Sequence, residues 1–199
     1  MICKICGKQS KEEYCVLHDK KQTRIDSKVE TLKDIEEEVL RNVEIQNINK
    51  NSKVVFSYGS GKNGIVITGV APAERGGAIT GEPFSSPTSG RLLNDILKEN
   101  NIKKEECFIS NICFVGLPGN RTPLQSEVDL CLPYLVRALD IIKPKKVILL
   151  GSLTKMYFNV NSLSKISSTF SLHFLHHPSY ALRRGLEKVY KREFEEVLK

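Results

Sequence analysis

Two short segments that could carry chemistry each follow an apolar run of the chain. His177-Pro178-Ser179 comes after residues 172–175, and Gly69-Val70-Ala71-Pro72-Ala73 comes after residues 65–68. A histidine can donate a hydrogen bond to an oxygen that gains negative charge during a reaction. Open α/β sheets bind their ligands at the carboxyl ends of strands, and each segment has the position of a strand-end loop.

Amide side chains lie between these two segments. Asn111 ends another apolar run, and Gly119-Asn120-Arg121 follows it along the chain. An amide offers a hydrogen-bond donor and an acceptor together. The sequence therefore predicts a single site assembled from several strand ends.

A dense group of soft ligands occupies residues 1–18. Cys3 and Cys6 form one pair, and Cys15 and His18 form a second, with two residues between the partners of each pair. Such pairs can hold one tetrahedral ion, and these ligand types favour zinc in a structural role. The alternative is a set of unrelated residues near the terminus, so the zinc knuckle is a hypothesis. Such a knuckle either folds only the N-terminus or adds a nucleic-acid contact.

Alternating strand and helix patterns begin at Ile65. Strands are predicted at residues 65–70, 107–114, 146–150 and 171–175, and helices at 90–100, 126–142 and 180–198, with a short helical turn through Met156. Strands separated by helix-length segments favour right-handed crossovers between parallel strands. We therefore predict a three-layer αβα fold around a central, mainly parallel four-stranded sheet.

The segment before this α/β region is charged. Apolar residues at helical spacing predict one amphipathic helix within residues 19–48, which packs across the main domain. Residues 47–64 are polar and predict a linker or loop around a short strand at 54–58. The predicted organisation is a knuckle at 1–18, a helix and linker at 19–62, and an α/β domain at 63–199.

Composition narrows the class of partner. The 199 residues carry a net charge of +7, which favours an anionic partner, with nucleic acid before a membrane surface. No apolar stretch approaches the length of a membrane span, and the N-terminus has no signal-peptide pattern. We expect a cytoplasmic, nucleoid-associated monomer with reduced cysteines, among which Cys107 and Cys113 belong to the core.

The strand-end motifs together resemble the uracil-DNA glycosylase superfamily, most closely its families four and five. The likeness covers about residues 63–199 and rests on Gly69-Val-Ala-Pro-Ala73, Thr80-Gly-Glu-Pro-Phe84, Ser89-Gly90, Asn111, Pro118-Gly-Asn-Arg-Thr-Pro123, Glu127, Cys131 and His177-Pro-Ser-Tyr180. It implies a hydrolase of base-excision DNA repair. Such an enzyme flips uracil, or a related deaminated base, out of DNA and cleaves its N-glycosidic bond.

The resemblance also implies roles for individual residues. His177 and Asn111 are the expected catalytic residues, with His177 stabilising the leaving base and Asn111 reading its edge. Phe84 matches the aromatic residue on which the base stacks, whereas His176 is expected to be scaffolding. Ser89 and Gly90 open a predicted helix, whose first turn can bind a phosphate. The other residues expected at the substrate are Val70, Ala71, Pro72, Ala73, Asn120, Arg121 and Ser179.

Two positions depart from the family pattern. Val70 stands where family four has a glutamate, and Pro87 stands where family five has an aspartate, so Glu74 or Glu82 is the candidate substitute. Three alternatives therefore stay open. They are a non-catalytic reader of damaged or modified nucleic acid, a glycosylase for another modified base, and an enzyme that acts on RNA or nucleotides.

The resemblance further implies an iron–sulfur cluster. The family takes two cysteines from an N-terminal pair and two from the segment around Asn-Arg-x-Pro. Cys131 matches one of the latter, but Val115 occupies the other position and Cys113 lies two residues earlier. We expect zinc rather than an iron–sulfur cluster in this chain.

Overall fold

The sheet has five strands rather than the four predicted, because the short strand expected within residues 54–58 joins it. The computed structural model describes residues 30–158, 166 and 169–199. Within them, the strands are β1 (Ser57–Tyr58), β2 (Ile65–Gly69), β3 (Phe108–Asn111), β4 (Lys146–Leu150) and β5 (Ser171–Leu175). Their spatial order is β1-β3-β2-β4-β5. The four predicted strands run parallel, and β1 adds an antiparallel edge next to β3.

Helices lie on both faces of this sheet. They are α1 (Leu32–Arg41), α2 (Val43–Ile48), α3 (Gly77–Thr80), α4 (Ser89–Glu99), α5 (Gln125–Ile142), α6 (Ser152–Tyr157), α7 (Pro178–Arg183) and α8 (Glu187–Leu198), with 3-10 turns at Lys104–Glu106 and Pro118–Asn120. Within the described part of the chain, no helix is both long enough and apolar enough to cross a membrane.

The alternation of buried side chains along β4 creates two cores. Val147 and Leu149 pack on one face with apolar residues of α1, α2 and α5. Ile148 and Leu150 pack on the other face with residues of α4, α7 and α8. Since successive side chains of a strand point to opposite faces, a fully apolar strand needs a helical layer on each side. The predicted three-layer arrangement is confirmed.

The amphipathic helix expected before the sheet is broken in its described part. Asn42 has an extended backbone (φ −72°, ψ 106°), and its Oδ1 accepts hydrogen bonds from the N–H groups of Glu44 and Ile45. Asn42 therefore ends α1 and begins α2 as its N-cap. Ile35 and Val39 of α1 are fully buried in the core cluster that includes α5 residues. Residues Thr31–Lys199 group into one compact unit, so α1 packs on the main domain as expected.

The last predicted helix is also two helices. Gly185, with a φ of +67°, separates α7 from α8. This left-handed conformation favours glycine and ends α7. The backbone N–H of Leu186 then donates to the carbonyl of Ala181. As a result α7 stays next to the loop that carries His177, while α8 packs Tyr190 and Phe194 into the core.

Candidate active site

The strand ends predicted to form one site do meet at one edge of the sheet. Gly69 and Asn111, the last residues of β2 and β3, are register partners. A recess with about 300 Å³ of empty space lies beside them. Its lining residues are Ala71, Pro72, Ala73, Gly77, Phe84, Ser85, Ser86, Ser89, Asn111 and His177. Seven of the residues predicted from sequence therefore share one cavity wall.

Two glycines permit the close packing of this recess. A Cβ atom at Gly69 would lie 2.7 Å from Oδ1 of Asn111 and 2.8 Å from Cζ of Phe84. A Cβ atom at Gly90 would lie 2.0 Å from the carbonyl oxygen of Phe84. Phe84 itself has a φ of +52°, a conformation that costs free energy in a residue other than glycine. Gly90, expected at the substrate, instead lies behind Phe84 and is buried.

His177 lines the same recess as Asn111 and lies beside Phe84. Its ring stacks with that of Phe84, with centroids 5.9 Å apart and an interplanar angle of 25°. His177 is also the N-cap of α7, and its Nδ1 accepts a hydrogen bond from the backbone N–H of Ser179 at 3.2 Å. Nδ1 also lies 2.7 Å from the Ser179 hydroxyl, which can donate to it, so both contacts with Ser179 are satisfied when Nδ1 carries no proton. The neutral ring therefore holds its proton on Nε2 and can donate it to a ligand.

The surroundings of His177 keep the ring neutral. Burial, followed by the positive charge of Arg183, lowers its pKa from 6.5 to about 4. An imidazolium would also lose the acceptor at Nδ1 that Ser179 uses. Near neutral pH, His177 is thus a neutral hydrogen-bond donor, as stabilisation of a developing anion requires.

Asn111 presents an unpaired donor. The residue is 2% exposed, and its Nδ2 is buried without a hydrogen-bond partner among the described residues. A buried polar group without a partner costs about 1–3 kcal/mol. Since Asn111 lines the recess, a ligand with a carbonyl oxygen at this position would satisfy the amide.

The recess adjoins a larger groove with about 2020 Å³ of empty space. The groove wall includes the predicted residues Val70, Asn120, Arg121 and Ser179. None of the described residues that line the recess or the groove is acidic, whereas the arginines among them are Arg75, Arg121 and Arg183. The groove therefore suits a negatively charged chain.

Hydrogen bonds fix the loop that carries Asn120 and Arg121. Oδ1 of Asn120 accepts from the backbone N–H of Glu74 at 3.0 Å, which joins this loop to the one after β2. Arg121 forms a two-pronged ion pair with Glu127, in which Nη1 lies 2.9 Å from Oε2. Arg121 holds the pKa of Glu127 below its usual value. Arg121 thus reaches the groove from a fixed position.

The candidate substitute carboxylates do not lie in the site. Glu82 forms an ion pair with Lys104, with 2.7 Å between Oε1 and Nζ. Glu74 is exposed, and neither glutamate lines the recess or the groove. Val70 and Pro87, which replace the family's acidic residues, do line the groove. The described residues that line the recess and the groove therefore supply no carboxylate.

The first turn of α4 is capped by a side chain from its own loop. The N–H of Gly90 donates to Oγ of Ser86 at 3.1 Å, and the hydroxyls of Ser86 and Ser89 lie 2.6 Å apart. An incoming phosphate would have to replace Ser86 at Gly90. The helix start is thus a weaker anion site than the sequence indicated.

Among the described residues, Cys113 and Cys131 form one pair of neighbouring cysteines. Cys3, Cys6, Cys15 and His18 lie outside the described residues, and within the described part no group of three or more acidic, histidine or cysteine residues could hold a metal. Cys113 and Cys131 are both fully buried. A hydrogen bond from the Cys113 thiol lowers the pKa of Cys131. An iron–sulfur cluster bound by four cysteines would need two further thiolates besides this pair.

His176 was expected to be scaffolding but lies exposed on the groove wall. β5 ends at Leu175, so the strand alternation used to orient His176 does not reach it. Its ring stacks on that of Tyr180, with centroids 4.7 Å apart and an interplanar angle of 13°. Pro178, two residues further on, was the available signal that the strand had already ended.

Fold and site together define an α/β protein whose strand-end loops enclose a small recess lined by an aromatic ring, an amide and a neutral histidine. The family model described as "Uracil DNA glycosylase superfamily" matches residues 56–199. This chain belongs to the uracil DNA glycosylase superfamily.

Individual relatives agree with this assignment. The chain is 35% identical to the type-4 uracil-DNA glycosylase of Pyrobaculum aerophilum over 57% of this chain and 58% of that protein. It is 30% identical to the type-4 uracil-DNA glycosylase of Sulfurisphaera tokodaii over 85% of this chain and 72% of that protein. In fold it is similar to a crystal structure of wild-type Pedobacter heparinus SMUG2, with a TM-score of 0.54 and 16% identity over 67% of this chain and 74% of that one.

Proposed function

We propose that this protein is a DNA glycosylase that cleaves the N-glycosidic bond of uracil, or of a related deaminated base, flipped out of DNA. The observation that carries the proposal is the convergence of Phe84, Asn111 and His177 on one recess. Two relatives named type-4 uracil-DNA glycosylase support uracil as the base. The arginine-lined groove beside the recess supports DNA as the partner.

In the proposed mechanism the recess binds the extruded base and stabilises it as it leaves. The base stacks on Phe84, and Nδ2 of Asn111 donates to one of its carbonyl oxygens. When the glycosidic bond breaks, its electron pair stays with the base, which becomes an anion. Nε2–H of His177 donates to an oxygen of that anion without transferring its proton. Because these donors are fixed before the reaction, they need no reorganisation in the transition state.

The sugar is left as an oxocarbenium-like cation that adds water. The water oxygen bonds to the anomeric carbon and loses one proton, and the departing base takes up a proton from solvent. No carboxylate among the described lining residues can accept the water's proton. We infer that departure of the base, rather than activation of water, is the step that this site accelerates.

The biological setting that we propose is base-excision repair of DNA in the cytoplasm, with the protein acting as a monomer. Release of a deaminated base leaves an abasic site, which is the entry point to such repair. We also propose that Cys3, Cys6, Cys15 and His18 bind one structural zinc ion. Metal analysis of the purified protein tests this: one zinc per chain supports the knuckle, and iron with acid-labile sulfide contradicts it.

The deciding experiment is a glycosylase assay with single- and double-stranded oligonucleotides that contain uracil. The wild type should release free uracil and leave alkali-labile sites. His177→Ala should lower the rate by at least about 100-fold, the usual cost of one oxyanion donor. His173→Ala is the matched control, because His173 lies on β5 and its ring contacts Ser171. Wild-type protein that releases no base from either strand form would contradict the proposal.

A second candidate is a non-catalytic reader of damaged or modified nucleic acid. The lack of a carboxylate in the described lining favours it. A gel-shift assay followed by alkaline cleavage separates the two functions, since a reader binds uracil-containing DNA more tightly than normal DNA and leaves no nicks. A panel of oligonucleotides with other modified bases tests whether the same site removes a base other than uracil.

A further inference from the structure

A pair of stacked rings borders the groove next to the recess. His176 and Tyr180 lie with their planes 13° apart, and both line the groove. The guanidinium of Arg184 lies 5.7 Å from the centroid of the Tyr180 ring. His176 directly precedes His177, so the pair lies beside the residue proposed to act on the extruded base. The mechanism above gives this pair no role.

Stacking on Tyr180 covers one face of the His176 ring. His176 is exposed, while Tyr180 is half-buried behind it. The Tyr180 ring holds His176 through stacking, and Tyr180 belongs to the first turn of α7. An exposed aromatic face on a firmly placed ring loses little conformational entropy when a flat ligand stacks on it. The positive charges of Arg75 and Arg183 on the same groove wall favour a ligand that is anionic and also carries a flat ring.

We propose that the His176–Tyr180 pair is a stacking platform for the nucleobase adjacent to the extruded nucleotide. This inference rests on the proposed function and extends it to the neighbouring nucleotide. When one nucleotide leaves the base stack, its neighbour loses a stacking partner. The outer face of His176 replaces that partner while the adjacent His177 engages the extruded base. His176 is thus a residue that binds the flanking nucleotide.

The test measures how binding depends on the flanking base. Single-stranded oligonucleotides carry 2′-fluoro-2′-deoxyuridine, which resists cleavage, with normal neighbours or with a tetrahydrofuran residue on the 5′ or the 3′ side. Fluorescence anisotropy gives Kd for each oligonucleotide. Loss of the stacked neighbour should weaken wild-type binding about 5- to 100-fold for one of the two sides, the range expected for base–aromatic stacking.

Variants assign this loss to His176. His176→Ala should bind the normal oligonucleotide with the same Kd that the wild type shows for the oligonucleotide without the neighbouring base. Removing that base should not weaken the binding of His176→Ala any further. His176→Phe keeps a flat ring and should keep the sensitivity. His173→Ala, the matched control, should behave as the wild type. Thermal unfolding of each variant reports whether the fold is retained.

The outcomes separate this inference from the proposed function. Wild-type sensitivity that persists unchanged in His176→Ala, or wild-type binding that ignores both neighbours, overturns the platform even if uracil is released. The wild type could instead release no base and still bind in a way that depends on the flanking base, with His176→Ala abolishing this dependence. That result would support the platform and overturn only the proposed activity.

Discussion

At the scale of single residues, the most informative group is the imidazole of His177. Its Nδ1 accepts from the backbone N–H of Ser179, so its proton lies on Nε2. A lowered pKa of about 4 keeps it neutral over the working range of most enzymes. We expect the single-turnover rate to be flat between about pH 8 and pH 5.5, without an inflection near the ordinary histidine pKa. A rate profile with a single inflection between pH 6 and 7 that His177→Ala removes would contradict this assignment.

The same lowered pKa links His177 to stability. Between about pH 4 and the ordinary value of 6.5, the unfolded chain binds a proton at this residue that the folded chain does not. The free energy of unfolding should therefore rise with pH through this window, and this contribution is lost as pH falls toward 4. Urea unfolding of the wild type and His177→Ala at several pH values measures it. The variant should have the weaker pH dependence within the window.

Asn111 is expected to serve binding more than stability. Replacement by alanine removes a donor to the proposed base and should lower the rate about 10- to 100-fold. It also removes an unpaired buried donor, so the free energy of unfolding should not fall and should rise by up to about 1–3 kcal/mol. Ser110→Ala is the comparison, because Oγ of Ser110 donates to the carbonyl of Phe56. That variant should lose stability and keep activity, and the reverse pattern would refute the role given to Asn111.

At the scale of elements, the side chain of Asn42 decides where α2 begins. Asn42→Ala removes the acceptor that begins α2 and a hydrogen bond of 3.1 Å from Nδ2 to the Tyr134 hydroxyl. We expect a loss of about 1 kcal/mol in the free energy of unfolding, measured by urea titration, with an unchanged glycosylase rate. The exposed Asn51 offers a control substitution to alanine. A stability equal to that of Asn51→Ala would show that the cap contributes nothing.

Periodicity predicted the elements well but missed their internal breaks. The strands at 146–150 and 171–175 have the predicted bounds, because apolar runs of that length fit a buried strand. The breaks at Asn42 and Gly185 depend on backbone angles, which a hydrophobic pattern does not encode. His176 was assigned the wrong orientation for a related reason, since the alternation was extended past the end of β5.

The sequence predicted which residues form the recess, but it did not predict their ion pairs and hydrogen bonds. The motif positions alone predict that Phe84, Asn111 and His177 belong to one site. The pairing of Glu82 with Lys104 and of Arg121 with Glu127 joins residues that local sequence patterns do not relate. The sequence already showed that Val70 and Pro87 replace the family's carboxylates. The three-dimensional arrangement adds that neither Glu74 nor Glu82 takes their place and that the Asn111 amide is unpaired.

At the scale of the whole molecule, the positive groove should make binding depend on salt. Each arginine that contacts a phosphate adds about one unit to the slope of log K against log salt concentration. Arg75→Ala and Arg183→Ala should each reduce that slope by about one, measured by anisotropy between about 50 and 200 mM salt. Arg41→Ala is the control, because Arg41 lies on α1 and pairs with Glu37. Equal slopes for all four proteins would place the DNA elsewhere.

The turn at Gly185 separates two tasks along the C-terminal stretch. Residues before it present rings and cations to the groove, while residues after it, such as Tyr190 and Phe194, are fixed in the interior. Substitutions of the exposed Arg183 and Arg184 should therefore leave Tyr190 and Phe194 in place, whereas Ala181 belongs to the same core cluster. Substitution of the exposed groove residues before Gly185 should therefore change which DNA sequence around the target base is preferred, while the core after Gly185 stays the same.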